Sequence, residues 1–271
     1  MKVAAQVLLV IFFVILFFVG LFSAAFKFRV LDYTFWQSTF QKHNVYQNLA
    51  VVSKSSFESQ IAKDGGNKND IKILTDLITE ENAKDVVDRN LRNFLSFANG
   101  ESSQINIYLP VDKVPNNLLP KNISGIKTEM SLTDLFAKFN LQDWQSLPWQ
   151  ELSYAGSTSY YLFVGAVSLF ILVFIFLLLL VENGARFIGP GIAFVLSGGF
   201  TFLLANIIKN INLVLSKELI GSSSIPSVIA GTIIPPVIAE AISSWQVLGL
   251  LLIAIGIVLF FVKKRSYNYS K

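Results

Sequence analysis

The segment VAAQVLLVIFFVILFFVGLFSAAF, residues 3–26, contains no charged side chain and one strongly polar one, Gln6. Three further segments share this character, at residues 160–181, 187–208 and 245–262. A helix rises about 1.5 Å per residue, so roughly 20 apolar residues cross a hydrocarbon core about 30 Å thick. The sequence therefore predicts four transmembrane helices and a multi-pass membrane protein.

The composition of the whole chain agrees with a membrane protein. Hydrophobic residues make up 53% of the chain and charged residues 15%, with 24 phenylalanines. Cysteine is absent and histidine occurs once. These counts exclude disulfides, zinc–thiolate sites and histidine-based metal clusters. We therefore expect no metal and no cofactor.

Basic residues at the two ends of the chain bear on its orientation. Basic residues that flank transmembrane segments tend to remain in the cytoplasm. We therefore expect a plasma-membrane protein with both termini cytoplasmic and residues 31–158 extracytoplasmic. The basic excess is then a topology signal and does not predict a nucleic-acid partner. The flanking basic residues are Lys2, Lys263, Lys264, Arg265 and Lys271, and the basic residues that oppose this orientation are Lys27, Arg29, Lys209 and Lys217.

The segment between the first two spans is long enough for a separate domain. Apolar residues recur at helical spacing over residues 31–61 and predict one amphipathic helix there. Another helix is expected to begin at Thr79 and to end before Gly100. Alternation over 105–111 predicts a strand, paired with 122–130. A further helix is expected to begin near Ser131. The predicted fold class is an all-α membrane protein with four transmembrane helices and a mainly helical extracytoplasmic α+β domain inserted between helices 1 and 2.

The predicted organisation divides the chain at residues 1–30, 31–158 and 159–271. In the last part, residues 182–186 form a short cytoplasmic turn and residues 209–244 an apolar external connection before the basic tail. The third helix is expected to extend to about Leu219, and the last helix to begin at Pro236, since proline is tolerated in a first turn. A re-entrant segment at 225–234 is the alternative.

Small side chains recur every four residues along the third span. They give one narrow helix face, which lets a neighbouring backbone approach closely. We expect this helix-packing face to be used within the chain, with an oligomer interface or a conduction path as the alternative. Asn206 is the one strongly polar side chain in this span, and no span carries an ionisable residue at mid-depth. The face consists of Gly189, Ala193, Ser197, Thr201 and Ala205.

Aromatic residues are concentrated just before the second span. Tryptophan and tyrosine favour the headgroup region of a bilayer, where the ring is sheltered and the polar atom stays hydrated. An aromatic ligand-binding surface is the alternative. The predicted interfacial aromatics are Trp144, Trp149, Tyr154, Tyr160 and Tyr161.

Catalytic signatures are weak throughout the sequence. His43 is the single histidine, and no nucleophile elbow accompanies it. The carboxylates of Asp85 and Asp88, or those of Glu80 and Glu81, are paired along the chain. Acidic residues are common at helix starts, however, and Arg89 and Arg92 offer surface pairing at helical spacing. We therefore expect a protein that is not an enzyme and has no catalytic residues.

The motifs LDYTFW at 31–36 and VYQNL at 45–49 resemble those of uncharacterised bacterial four-span membrane proteins with an extracytoplasmic domain after the first span. The resemblance extends to the layout of most of the chain. It implies an architecture and no catalytic activity.

These observations lead to three hypotheses about function. The favoured one is a non-catalytic membrane protein of the cell envelope whose extracytoplasmic domain binds, senses or organises a partner. The alternatives are a subunit of an oligomeric channel and an unrecognised membrane enzyme. The expected partners are the lipid bilayer and either another protein or a second copy of this chain, bound through the external domain or the third membrane helix.

Overall fold

The computed structural model describes residues 2–63, 72–73, 75–114, 127–139, 148–180, 187–220 and 225–268. It is mostly helical, and the described residues include one pair of short strands. Among the described residues, four helical segments are long and apolar enough to cross a membrane, which confirms the expected number of candidate spans and indicates a multi-pass membrane protein. They are Val3–Val30, Ala155–Leu179, Ile188–Leu219 and Ser227–Phe261.

The elements follow one another in a simple order. The helices are α1 (Lys2–Ala25, continued by a π-helical turn at Phe26–Val30), α2 (Tyr33–Lys42), α3 (Val45–Lys63), α4 (Glu80–Ala98), α5 (Leu132–Phe139), α6 (Trp149–Ser153), α7 (Ala155–Leu179), α8 (Ile188–Ile220), α9 (Ile225–Ile242) and α10 (Trp245–Asn268). The strands β1 (Asn106–Tyr108) and β2 (Glu129–Ser131) lie between α4 and α5, with a 3₁₀ turn at Val111–Lys113.

The chain divides into two compact units. The first, here called the membrane unit, comprises Met1–Arg29, Thr158–Leu213 and Ile238–Lys271. The second, here called the polar unit, comprises Val30–Ser157 and Val214–Val237. The polar unit thus includes the segment between the first two spans together with a second piece from the end of α8 and most of α9.

The core of the membrane unit is built on Phe13 of α1, which is fully buried. Its ring lies 4.2 Å from that of Phe170 and 5.2 Å from that of Phe194, between ring centroids. Leu177 and Ala193 are fully buried in the same cluster. Side chains from α1, α7 and α8 therefore share one aromatic-rich core.

The polar unit has its own hydrophobic core. Phe40, Val45, Tyr46 and Leu49 of α2 and α3 form a buried cluster with Val237 of α9. A second cluster contains Leu31, Leu95 and Ala98. The segment that the sequence predicted as an external connection, residues 209–244, is therefore largely helical where it is described, and part of it packs into this core.

The single helix predicted over residues 31–61 is wrong, because the structure has two. The Asp32 side chain caps α2 by accepting a hydrogen bond of 3.0 Å from the Thr34 amide. Asn44 then adopts a left-handed conformation, with φ of 52°, and separates α2 from α3. Asparagine tolerates this conformation better than most residues. The helical spacing of apolar residues continues through the break, so the pattern alone did not reveal it.

The predicted ends of α4 are confirmed. The Thr79 hydroxyl accepts a hydrogen bond of 3.1 Å from the Asn82 amide, and Gly100 beyond the last turn has φ of +76°. Glycine reaches this backbone region without strain, as a helix C′ position requires. The Ser131 hydroxyl similarly accepts from the Asp134 amide at the start of α5.

The strand prediction is confirmed in part. Strands β1 and β2 are antiparallel, but β1 has three residues rather than the predicted seven-residue run, and residues 122–126 of the expected partner lie outside the described residues. The buried residues of this segment are Ile105 and Tyr108. The strict alternation predicted from Ile105, Ile107, Leu109 and Val111 therefore does not hold, because only a short stretch is paired.

The predicted start of the last helix at Pro236 is wrong, whereas α8 extends as predicted. Pro235 and Pro236 lie inside α9, and a short turn at Ser243 and Ser244 precedes α10. Proline lacks the amide hydrogen that a helix interior uses, so these two positions each omit one helical hydrogen bond. The Thr232 hydroxyl donates to the Val228 carbonyl at 2.9 Å in this region. The predicted turn at 182–186 lies outside the described residues.

Candidate functional site

One face of α4, the start of α2 and β2 form a polar groove in the polar unit. Its volume is about 570 Å³. The lining side chains are polar or charged: Tyr33, Gln37, Glu81, Lys84, Asp85, Asp88, Arg89, Arg92, Asn93 and Glu129. We refer to this cavity as the polar groove.

The amphipathic character of α4 explains why its charged residues line the groove. Seven of its lining residues recur three or four positions apart and hence share one helix face. The opposite face carries Val87, Leu91 and Leu95, which pack in the two apolar clusters. Burial of the apolar face therefore fixes the direction in which the charged face points.

Hydrogen bonds from asparagines attach α4 to β1. The Asn90 side chain donates to the Tyr108 carbonyl at 2.9 Å and accepts from the Tyr108 amide at 2.7 Å, as a neighbouring strand would. Asn93 donates to the Asn106 carbonyl at 2.8 Å. These bonds fix α4, which carries most of the lining residues, against the edge of β1.

Asp85 and Arg89 form a closed ion pair along α4. Arg89 Nε lies 2.7 Å from Asp85 Oδ1, and Lys113 Nζ lies 3.5 Å from the other carboxylate oxygen. The hydrogen bond from Arg89 is the main cause of the lowered pKa of Asp85. Arg89 also lies over the ring of Tyr108, 4.3 Å from its centroid. Asp85 is therefore held in its ionised form.

Asp88 interacts with a tyrosine instead of with an arginine. Its Oδ1 accepts a hydrogen bond of 2.5 Å from the hydroxyl of Tyr46, whose side chain is buried. Burial, followed by the hydrogen bond to Asp88, raises the pKa of Tyr46. The phenol therefore remains protonated and acts as a hydrogen-bond donor.

Arg92 lies on the ring of Tyr33, with its guanidinium carbon 4.5 Å from the ring centroid. Asp88 and Arg92 are four residues apart on the helix, yet no ion pair joins them in the described structure. Lys84 lies 5.9 Å from the centroid of the Tyr46 ring. Each cation of the groove thus has an aromatic face beside it, which attracts cations through its quadrupole.

The structure brings together some of the carboxylates that the sequence indicated. Glu81, Asp85 and Asp88 line the groove, whereas Glu80 and His43 are not among its lining residues. A general acid needs a raised pKa, but that of Asp85 is lowered. Among the described residues, no group of three or more histidine, cysteine, aspartate or glutamate side chains could hold a metal ion. The arrangement is suited to recognising charged groups.

The predicted interfacial aromatics differ in their surroundings. Trp149 is half-buried beside Phe136, with 6.3 Å between ring centroids, and Trp144 lies outside the described residues. Tyr154, Tyr160 and Tyr161 are exposed. Their expected position at the membrane surface stays a prediction.

All members of the predicted small-residue face of α8, namely Gly189, Ala193, Ser197, Thr201 and Ala205, are buried within the membrane unit. A Cβ atom on Gly189 would lie 2.7 Å from Gln6 Nε2 and 3.3 Å from Leu177 Cδ2. This end of the face therefore lies against side chains of α1 and α7.

A second set of glycines, which the sequence analysis did not identify, lies where α8 and α10 pack against each other. A Cβ on Gly198 would lie 2.5 Å from the Gly249 carbonyl oxygen, and one on Gly256 would lie 2.7 Å from the Gly191 carbonyl oxygen. The glycines are seven residues apart on each helix, so two antiparallel backbones meet at two successive contacts. The matching sevenfold spacing was the signal that could have identified this crossing.

The structure gives Arg29 a role that the sequence analysis did not predict. In the sequence analysis, Arg29 counted against the predicted orientation. Its Nη1 donates to the carbonyls of Glu240 and Ala241 at 2.8 and 2.7 Å, and its Nη2 lies 2.9 Å from the Ser244 hydroxyl. The last carbonyls of a helix have no partners inside the helix and carry partial negative charge. Arg29 therefore caps the C-terminus of α9.

Comparison of the chain with protein-family models, curated proteins and solved structures finds no match. The function must therefore be inferred from the groove and from the two units.

Proposed function

We propose that this protein is a non-catalytic integral membrane protein of the cell envelope whose polar unit binds a partner in the polar groove. The single observation that carries the proposal is the groove itself, a cavity of about 570 Å³ lined by side chains of both charges. Ligand pockets usually have volumes of roughly 300–1,000 Å³ and a few convergent polar groups. The proposed orientation has both termini in the cytoplasm and the polar unit outside the cell.

The capping role of Arg29 supports this orientation. Basic residues after the first span count against an external polar unit if their positions reflect topology alone. Arg29, however, binds the carbonyls of Glu240 and Ala241, so a structural requirement explains why a basic residue stands there. The basic residues at the chain ends, of which Lys263 and Lys264 are two, favour this orientation, and Lys27, Lys209 and Lys217 still oppose it.

The state of the groove carboxylates favours binding over catalysis. Asp85 is held ionised by Arg89, and Asp88 accepts a hydrogen bond from a protonated tyrosine. Acid–base catalysis commonly uses two carboxylates whose pKa values are shifted apart, and Asp85 and Asp88 do not form such a pair. An unrecognised membrane enzyme is therefore the weaker proposal.

Packing within the membrane unit favours a binding protein over a channel subunit. A pore shared between copies needs small or polar faces that point toward a common axis. The small face of α8 is buried within this single chain. The polar side chain of Asn206 is also satisfied internally, because it donates to the Phe202 carbonyl at 2.7 Å and accepts from Gln246 at 2.9 Å.

Site-specific photo-crosslinking in the native host tests the proposed function. A photoreactive residue replaces Gln37, which lines the groove, and a matched one replaces Ser55, an exposed residue of α3 outside the lining. We expect a discrete adduct from position 37 that is absent from position 55 and is abolished by Arg92→Glu. The same adduct pattern from both positions, or no adduct from position 37, would contradict the proposal.

A further inference from the structure

Helix α4 carries two aspartate–arginine pairs at the same spacing, but only the first of them forms an ion pair. An aspartate four residues before an arginine is well placed for an ion pair on a helix surface. Asp85 and Arg89 form that pair at 2.7 Å. Asp88 and Arg92 are three residues further along and do not.

Two tyrosines keep the second pair open. Tyr46 of α3 donates its hydroxyl hydrogen to Asp88, and Tyr33 of α2 lies beneath the guanidinium of Arg92. Both tyrosines belong to the polar unit, and Tyr46 is fixed in its core. The separation of the two charges is therefore built by packing of α2 and α3 on α4.

The open pair leaves unused hydrogen-bonding capacity in the groove. Tyr46 occupies one oxygen of the Asp88 carboxylate, and the aromatic ring occupies only the face of the Arg92 guanidinium. The N–H edge of that guanidinium has no hydrogen-bond partner in the described chain, and the same holds for the Tyr33 hydroxyl and the Gln37 amide. An arginine edge of this kind binds a carboxylate or phosphate through two parallel hydrogen bonds.

We propose that the open Asp88–Arg92 pair is a binding site for a small zwitterion, with the ammonium group of the ligand against Asp88 and its oxyanion on the edge of Arg92. This inference rests on the proposed function, since it assigns a ligand class to the same groove. A simple anion would be repelled by the carboxylates of Asp88 and Glu129, and a simple cation by Arg92 and Lys84. A ligand that carries both charges can pair with Asp88 and with Arg92 at the same time.

Two sources of such a ligand share this chemistry, a free amino acid or peptide and a zwitterionic lipid headgroup. Triglycine represents the first, and glycerophosphoethanolamine, the headgroup without acyl chains, represents the second. N-acetylated triglycine retains only the negative charge, and triglycine amide retains only the positive charge. Calorimetric titration of the full chain in detergent with these four compounds measures the contribution of each charge.

Three variants complete the experiment. Asp88→Asn removes the charge but keeps an acceptor for the Tyr46 hydroxyl, and Arg92→Gln removes the guanidinium. Lys54→Gln is the matched control, because it removes a cation of α3 that is neither among the lining residues nor paired with one of them. Thermal unfolding of each variant, with Arg92→Lys as a milder second change at that position, establishes that it is folded.

We expect at least one zwitterion to bind the unmodified protein and each singly charged triglycine to bind about tenfold more weakly, as the loss of a charged hydrogen bond implies. Asp88→Asn and Arg92→Gln should weaken zwitterion binding to a similar extent, and Lys54→Gln should not. Binding of triglycine identifies a peptide-like ligand, and binding of glycerophosphoethanolamine alone identifies a headgroup.

Failure of both zwitterions to bind would overturn the inference, as would equal binding of the singly charged compounds or an equal loss in Lys54→Gln. A specific crosslink from position 37 in the absence of zwitterion binding would overturn the ligand class and leave the proposed function standing. Absence of both results would contradict the two proposals together.

Discussion

Tyr46 shows at the scale of one residue how the hydrophobic core and the groove are connected. Its ring is buried with Phe40, 5.5 Å away between centroids, while its hydroxyl reaches Asp88 at the groove surface. Burial raises the pKa of the phenol, which keeps the donor protonated. The side chain that stabilises the core therefore also determines where a groove carboxylate points.

The pH dependence of stability should reveal the Asp85–Arg89 pair. Because the pKa of Asp85 is lowered in the folded state, its ionised form stabilises the fold above the unfolded value of about 3.9, and this contribution is lost as the pH falls through the lower folded pKa. The unfolding free energy of the unmodified protein should therefore fall more steeply between about pH 5 and pH 3 than that of Arg89→Gln.

Denaturation in detergent over this pH range measures the difference. Arg89→Lys is the conservative control, since it retains the charge but loses the planar guanidinium. If the unfolding free energies of the unmodified protein and of Arg89→Gln changed in parallel with pH, Arg89 would not lower the pKa of Asp85, and the prediction would be wrong.

At the scale of secondary-structure elements, α8 and α10 approach each other closely at their glycines. A Cβ atom on Gly198 would lie 2.5 Å from the Gly249 carbonyl oxygen. Gly198 has no room for a Cβ atom, whereas its neighbour Gly199 has nothing within 4 Å of the position that a Cβ would take. Overpacking at such a contact forces the backbones apart and typically costs about 1–3 kcal/mol.

The neighbouring glycines therefore form a matched pair of test sites. Gly198→Ala should lower the unfolding free energy by about 1–3 kcal/mol, and Gly199→Ala should leave it unchanged or raise it by up to about 1 kcal/mol, because alanine favours the helix. Unfolding of both variants in mild detergent compares them directly. Equal stabilities would rule out the close crossing.

Arg29 provides a second prediction at this scale. Arg29→Lys keeps the positive charge but cannot reach the carbonyls of Glu240 and Ala241 and the Ser244 hydroxyl together. The end of α9 should then open more often. Hydrogen exchange followed by mass spectrometry should show faster exchange of the amides near residues 240–244 and unchanged exchange in α4.

The elements show which parts of the fold could be predicted from sequence. Membrane spans depend on the hydropathy of contiguous residues, and helix ends depend on local caps such as Thr79 and Gly100. The break at Asn44 was missed because an apolar spacing that suits one long helix continues through it. Pro236 was misplaced at a helix start because the rule that places proline in a first turn does not consider proline inside a helix.

The candidate site could be predicted only in part. Asp85, Asp88, Arg89 and Arg92 are visible as a charged face because they lie within one helix. Tyr33, Gln37 and Glu129 come from distant segments and join them only through packing. The open state of the Asp88–Arg92 pair depends on those distant tyrosines, so no spacing rule within α4 could reveal it.

At the scale of the whole molecule, the part of the chain that the structure describes combines four apolar helical segments with a polar unit that has its own core and groove. The central claim is that the groove is presented outside the cell while both ends of the chain remain in the cytoplasm. The natural absence of cysteine permits a direct test, because any introduced cysteine is the only reactive thiol.

Labelling with a membrane-impermeant maleimide in intact cells tests this claim most directly. Ser55→Cys places a thiol on an exposed position of the polar unit, and Ser270→Cys places one in the basic tail. Reaction of position 55 in intact cells, with position 270 reacting only after permeabilisation, is the result we predict. Labelling of position 270 but not of position 55 in intact cells would contradict the proposed orientation.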